Sequence, residues 1–190
     1  MRPHVLMPSP TTLLFLILPA VAQAMPELVL FLPEERVYDG NNPAEHAPRL
    51  SAARGFTFDL EVRPVGSPEA GILFSQEGLT LLRTDPISAG GNLSFLVAIN
   101  GNLEHRLHTE PLPAGQWSRV TASWDSALMW TRVNKRTYRA DRAGTVTDAT
   151  APLRVAAGRP VSGGGFRGAM RNVRIYDTSL TETDLLLELR

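Results

Sequence analysis

The chain has 190 residues, and its 19 Lys+Arg cancel its 19 Asp+Glu, which excludes the basic excess of a dedicated nucleic-acid binder. At 43% hydrophobic and 20% charged it has the composition of a folded protein, and its length suits one domain. Cysteine is absent, which excludes disulfides, Cys-ligated zinc and thiol catalysis, while 15 Gly and 15 Pro argue against an all-helical bundle.

The first 24 residues read as an export signal. A short basic start at Arg2 is followed by the apolar run Leu13 to Leu18, and Ala22-Gln23-Ala24 forms a small-x-small cleavage site. The run is too short to span a bilayer, which takes ~20 apolar residues. Cleavage after Ala24 would leave residues 25–190 as the mature domain, with no second run of spanning length. The expected location is secreted or periplasmic, with no stable membrane span and no nucleic-acid partner.

The mature region reads as strands at short intervals. Leu28 to Leu32 is apolar and ended by Pro33. Residues 56, 58, 60 and 62 are apolar and 57, 59 and 61 polar, the period of a strand with one buried face. Ile72 to Ser75 and Thr80 to Arg83 flank Glu77-Gly78 as a hairpin, and Leu93 to Ile99 turns at Asn100-Gly101 into Leu103 to His108. Trp117 to Trp124 is followed by Leu128 to Val133, which turns at Asn134-Lys135 into Thr137-Tyr138. Leu153 to Ala157 and Phe166 to Tyr176 complete the set, the latter entered through the bend Gly163-Gly164-Gly165. Residues 43–48 and 143–152 read as loops. Thr181 to Leu189 lacks Gly and Pro, and Thr181 with acids behind it signals a short terminal helix. The expected fold is all-β, a two-sheet antiparallel sandwich with a short C-terminal helix.

In this order the strands resemble the laminin G-like, or concanavalin A-like, jelly-roll family. Tyr38-Asp39-Gly40-Asn41 looks like its opening turn, and Gly55 through Pro64 is similar to its first long strand, F-T-x-x-x-W-V-x-P. Gly115 to Asp125 resembles G-x-W-x-x-V-x-x-x-(Y/W)-D, and Leu153 to Gly158 looks like P-L-R-I-G. Phe166 to Tyr176 resembles F-x-G-x-I-D-E-V-R-I-Y. Glu61 stands where that pattern has tryptophan, Arg171-Asn172 where it has Asp-Glu, and Lys135 where it has glycine. The resemblance implies a jelly roll used for binding glycans or proteins, with Trp117 and Trp124 packed between the sheets.

Several clusters bear on chemistry. Glycoside hydrolysis needs two carboxylates ~5–9.5 Å apart. Asp59 and Glu61 share a strand face, but without a further acid they read as a solvated face. His105 and His108 lie three apart and, on a strand, point to opposite faces, against a joint metal site. Asp39 and Asn41 in one loop and Asp125 in another are candidate oxygen ligands for calcium, competing with their ordinary use as turn residues. A basic and aromatic stretch runs through Trp130, Arg132, Arg136, Tyr138 and Arg139. Guanidinium forks suit anions and aromatic faces stack on sugars, so these five are the candidate ligand residues. The expected function is an exported, non-catalytic binding module for carbohydrate or for a glycan-bearing or envelope protein. The rivals are a glycan-degrading enzyme of the same fold and a structural part of an envelope or adhesion complex.

Overall fold

The protein, seen as a computed structural model, is described over residues 27–40, 44–46, 50, 54–66, 70–149, 151–156 and 165–187. The export signal, Asn41 and the first two glycines of the Gly163–Gly165 bend lie outside these residues. In chain order the strands are β1 (Leu28–Leu32), β2 (Arg36–Asp39), β3 (Ala44–His46), β4 (Phe56–Pro64), β5 (Gly71–Gln76), β6 (Thr80–Thr84) and β7 (Asn92–Ile99). They continue with β8 (Asn102–Pro111), β9 (Ser118–Trp124), β10 (Leu128–Val133), β11 (Arg136–Asp141), β12 (Leu153–Val155) and β13 (Arg167–Tyr176). The helix α1 (Glu182–Leu187) closes the described chain.

The strands pair antiparallel in two sheets, a β-sandwich of the expected jelly-roll type. One has the order β1-β13-β4-β9-β10-β11, with β2 also on β13, and the other β3-β12-β5-β6-β7-β8. We refer to them as the first and second sheet. β2 and β3 were not expected. They hold four and three residues, too few to show a period, and β3 falls inside the stretch read as a loop at 43–48. No helix among the described residues is long and apolar enough to cross a membrane.

The alternation in β4 organises the core. Phe56, Phe58, Leu60 and Val62 are almost wholly buried and point toward the second sheet. Phe58 stacks on Phe74 of β5 at 4.8 Å and meets Phe95 of β7 edge-on at 6.3 Å. Phe56 packs against Phe95 and against Trp124 of β9. Two strands of one sheet and two of the other are thus joined through four phenylalanines and a tryptophan. Close approach demands glycine at position 55, where φ is +72° and a Cβ would fall 2.1 Å from the Trp124 carbonyl oxygen.

The turn and cap signals also hold. Asn100 and Gly101 both have positive φ, as a type I′ hairpin requires. At α1 the Asp184 amide donates to Thr181 Oγ1 at 3.2 Å, and the Thr181 amide donates to Asp184 Oδ2 at 2.8 Å. This is a reciprocal cap with Asp in the third position.

Phe58→Ala is expected to cost ~3–5 kcal/mol in urea unfolding, the usual range for a buried phenylalanine. Val37→Ala, at a side chain 76% exposed on β2, should stay within about 0.5 kcal/mol of wild type. Comparable losses at both positions would mean that the inter-sheet aromatics do not carry the core.

Candidate functional site

Strand alternation divides the five residues expected to act together. Val133 pairs with Arg136 and Thr131 with Tyr138, so these two β11 side chains share the inward face of the first sheet at its edge. Arg139 pairs with Trp130 and Thr137 with Arg132, on the outward face. Trp130 is only 5% exposed and packs with Tyr176, Leu180 and Leu185 beneath the C-terminal segment. It offers no open face for stacking, a correction to its expected role. Arg139 binds Glu182 of α1 at 2.5 Å, and Arg132 donates from Nε to the Asn134 carbonyl at 3.0 Å.

Arg136 and Tyr138 instead join a second group. β11 ends the first sheet and β8 ends the second, and the two edges face each other across the sandwich. Between them lies an open cleft of about 540 Å³ lined by His108, Thr109, Glu110, Arg136, Thr137 and Tyr138. Arg136 forms an ion pair with Glu110, so one salt bridge spans the two sheets. Tyr138 packs its ring partly against the core beside the Arg136 guanidinium. His108 has 48% of its side chain exposed.

Behind His108 stands a buried polar cluster that no spacing in the sequence announces. Ser94 Oγ donates to Asp85 Oδ2 at 2.5 Å and lies 2.8 Å from His108 Nδ1. Asp85 also accepts from Arg83 Nε at 2.9 Å. Although serine, histidine and aspartate meet here, the order is not that of a hydrolase triad. There the imidazole stands between acid and hydroxyl, and the hydroxyl faces substrate. Here the fully buried serine stands between the other two.

The outward face of the first sheet holds a second assembly. Asp59, expected in solvent, is 1% exposed. It takes a bidentate bond from Arg119 (3.0 and 2.8 Å), a hydroxyl from Thr121 (2.8 Å) and a longer contact from Arg174 (3.4 Å). Two residues on, Glu61 accepts from Arg171 Nε at 2.7 Å and Asn172 Nδ2 at 3.0 Å. Burial pushes the Glu61 carboxyl up. Its bonds to Arg171 and Asn172, with the charges of Arg171 and Arg119, outweigh this and hold it below the ordinary glutamate value. Trp117 belongs to this face and not to the core, because it precedes β9 and is only half-buried. The guanidinium carbons of Arg171 and Arg63 lie 4.2 and 4.9 Å from its ring. Trp124, 1% exposed, is in the core as expected.

Of the expected calcium ligands, Asp39 and Asp125 are not brought together. Asp39 pairs with Arg167, beside the Pro64 end of β4, whereas Asp125 follows Trp124, which pairs with Phe56 at the other end. The length of β4 separates them, about 26 Å at ~3.3 Å per residue. Asp125 Oδ1 caps its own turn, accepting from the amides of Ala127 and Leu128. Among the described residues no three His, Asp or Glu side chains gather as metal ligands.

Because the Glu61 value is lowered by folding, its contribution is present above the unfolded-state value, about pH 4.5, and is lost as pH falls through the lower folded-state value. Glu61→Gln should therefore flatten the fall of the urea midpoint below that pH. Parallel curves for variant and wild type would show that the charges around Glu61 do not act on folding.

A family model described as the concanavalin A-like lectin/glucanases superfamily, laminin G type, matches residues 39–185. No curated protein matches the chain significantly in sequence. Among solved structures, domains LG4-5 of the mouse laminin alpha1 chain are similar at 20% identity and a TM-score of 0.61, over 79% of this chain and 44% of that one. The chain thus spans less than half of that structure. Domain 4 of AbnA, a GH43 extracellular arabinanase from Geobacillus stearothermophilus solved with arabinotriose, is similar at 17% identity and a TM-score of 0.62, over 78% and 73%. The heptameric SAP-like pentraxin of Limulus polyphemus follows at 16% and 0.59, over 80% and 79%. At these identities the likeness is one of fold, and the family match agrees with it: the chain belongs to the concanavalin A-like lectin/glucanases superfamily, as a laminin G-like domain.

Proposed function

We propose that the chain is an exported, non-catalytic carbohydrate-binding module whose ligand lies in the cleft between β8 and β11. The observation that carries this reading is the lining of that cleft. It combines one aromatic ring, Tyr138, with hydroxyl, imidazole, carboxylate and guanidinium groups from two sheet edges. A sugar ring presents an apolar face and a rim of hydroxyls, and such a lining meets both. The similar arabinanase domain was solved with arabinotriose, a ligand of this chemical kind.

Hydrolysis is disfavoured by how the acids are used. Asp59 and Glu61, the pair that could have served as acid and base, are bonded to Arg119, Arg171 and Arg174 on the far side of the first sheet. Among the described residues that line the cleft, Glu110 is the single carboxylate, and it is paired with Arg136. A glycosidase needs a proton donor and a second carboxylate facing one bond. Secretion or residence in the periplasm follows from the Arg2–Ala24 segment and belongs to the same proposal.

Affinity electrophoresis against a panel of soluble polysaccharides tests it. Retardation by at least one of them is expected, and Tyr138→Ala should weaken it about tenfold, ~1.4 kcal/mol. Arg132→Ala, on the opposite face, should leave it unchanged. Migration unaffected by every polysaccharide, or full binding by Tyr138→Ala, would overturn the proposal. Release of reducing ends by the wild type would replace it with the hydrolase reading.

A further inference from the structure

The protons around Ser94 can be counted. Asp85, 2% exposed, receives the Arg83 Nε–H and forms an ion pair with it. As a carboxylate it can only accept, so the Ser94 hydroxyl, 2.5 Å away, donates to it. A serine has one hydroxyl proton. With that proton directed at Asp85, Ser94 Oγ can only accept from His108 Nδ1 at 2.8 Å. Asp85 Oδ2, 3.5 Å from the same nitrogen, favours a proton there as well. The neutral ring is therefore held with its proton on Nδ1, the reverse of the Nε2–H form that free histidine prefers. Its Nε2 keeps a lone pair and makes no hydrogen bond among the described residues.

We infer that His108 presents a hydrogen-bond acceptor at the cleft wall and that this makes the cleft selective for uncharged, hydroxyl-bearing saccharides over acidic ones. The inference rests on the carbohydrate reading above. The charges of the cleft support it: Glu110 and Arg136 neutralise each other, Arg83 is held by Asp85, and Arg106, two residues along the same face of β8, is not among the residues that line the cleft. A sugar hydroxyl can donate to Nε2. A uronate carboxylate has no proton to give and would meet the Nε2 lone pair beside Glu110, with the guanidinium of Arg136 already engaged. Ser94 and Asp85 are then positioning residues, acting on the ligand only through the proton of His108.

Two measurements on the full chain decide the matter. In a long-range nitrogen–proton NMR spectrum at mildly alkaline pH, His108 should show a protonated Nδ1 and a bare Nε2. Its signals are identified by their loss in His108→Gln. In calorimetry, arabinotriose should bind at least tenfold more tightly than trigalacturonate. His108→Ala should lose about tenfold for arabinotriose, and His108→Gln, which keeps an amide oxygen near the Nε2 position, should lose less. A bare Nδ1 with protonated Nε2, or a preference for the uronate, would overturn this inference while leaving the carbohydrate reading intact. Failure of every saccharide to bind would remove both the carbohydrate reading and the selectivity built on it, and the nitrogen spectrum would still decide the tautomer.

Discussion

β4 is buried on both faces, and the two faces make opposite demands. Its inner side chains are aromatic and aliphatic and fill the space between the sheets. Its outer side holds Asp59, a carboxylate almost without solvent contact. An unpaired carboxylate in such a place would cost several kcal/mol, and Arg119, Arg174 and Thr121 offset that cost from the neighbouring strands. The net gain in stability from such a buried pair is small, but its effect on register is large. Asp59 is opposite Thr121 on β9 and Arg174 on β13. A slip of one residue would turn Asp59 into the phenylalanine cluster and the phenylalanines outward. Core and ion pair therefore specify the same alignment of β9, β4 and β13.

The departures from the family pattern become intelligible on the same face. Glu61 occupies a position where the resemblance has tryptophan, and Arg171-Asn172 one where it has two acids. In the structure these are each other's partners, joined by two hydrogen bonds between β4 and β13. The two departures belong together: an acid stands on β4 where the pattern has tryptophan, and a cation and an amide meet it from β13 where the pattern has two acids. The guanidinium of Arg171 also lies over Trp117, a contact worth ~0.5–1 kcal/mol at a partly exposed site. A face whose cations are committed to acids and to an aromatic ring has little left for a ligand. This turns attention to the opposite edge of the sandwich.

Much of the fold was legible because it is local. The alternation of residues 56–62, the Asn100-Gly101 turn and the Thr181 cap each depend on neighbours in sequence, and each holds. The candidate site was not local. Trp130 to Arg139 is dense in cations and aromatics along the chain, yet a hairpin has two faces and sends successive side chains to both. The stretch divided into Arg136 and Tyr138 at the cleft, Arg139 on α1, and Trp130 under the C-terminal segment. The same rule, applied to His105 and His108, separates them correctly: their partners are Val97 and Ser94, on opposite faces of β7. What brings His108 to Ser94 and Asp85 is the pairing of β7 with β8 and the loop that follows β6, contacts 9 and 14 residues apart in the chain.

The position of the cleft has a physical cause in the sheet edges. β8 runs ten residues, and its pairing with β7 shifts between Asn92 and Ser94, opposite the stretch that holds Thr109 and Glu110. Such an irregularity bends an edge strand and re-aims its side chains. Here it sets Glu110 against Arg136 on β11, closing the mouth of the sandwich with a salt bridge instead of an apolar contact. An ion pair this exposed adds little to stability, but while it holds it leaves the rim without net charge and the Arg136 guanidinium engaged. Thr109 behind it is buried, and the Tyr138 ring rests on the core. The cleft thus combines a floor fixed by the packing of both sheets with a polar rim whose two opposite charges cancel.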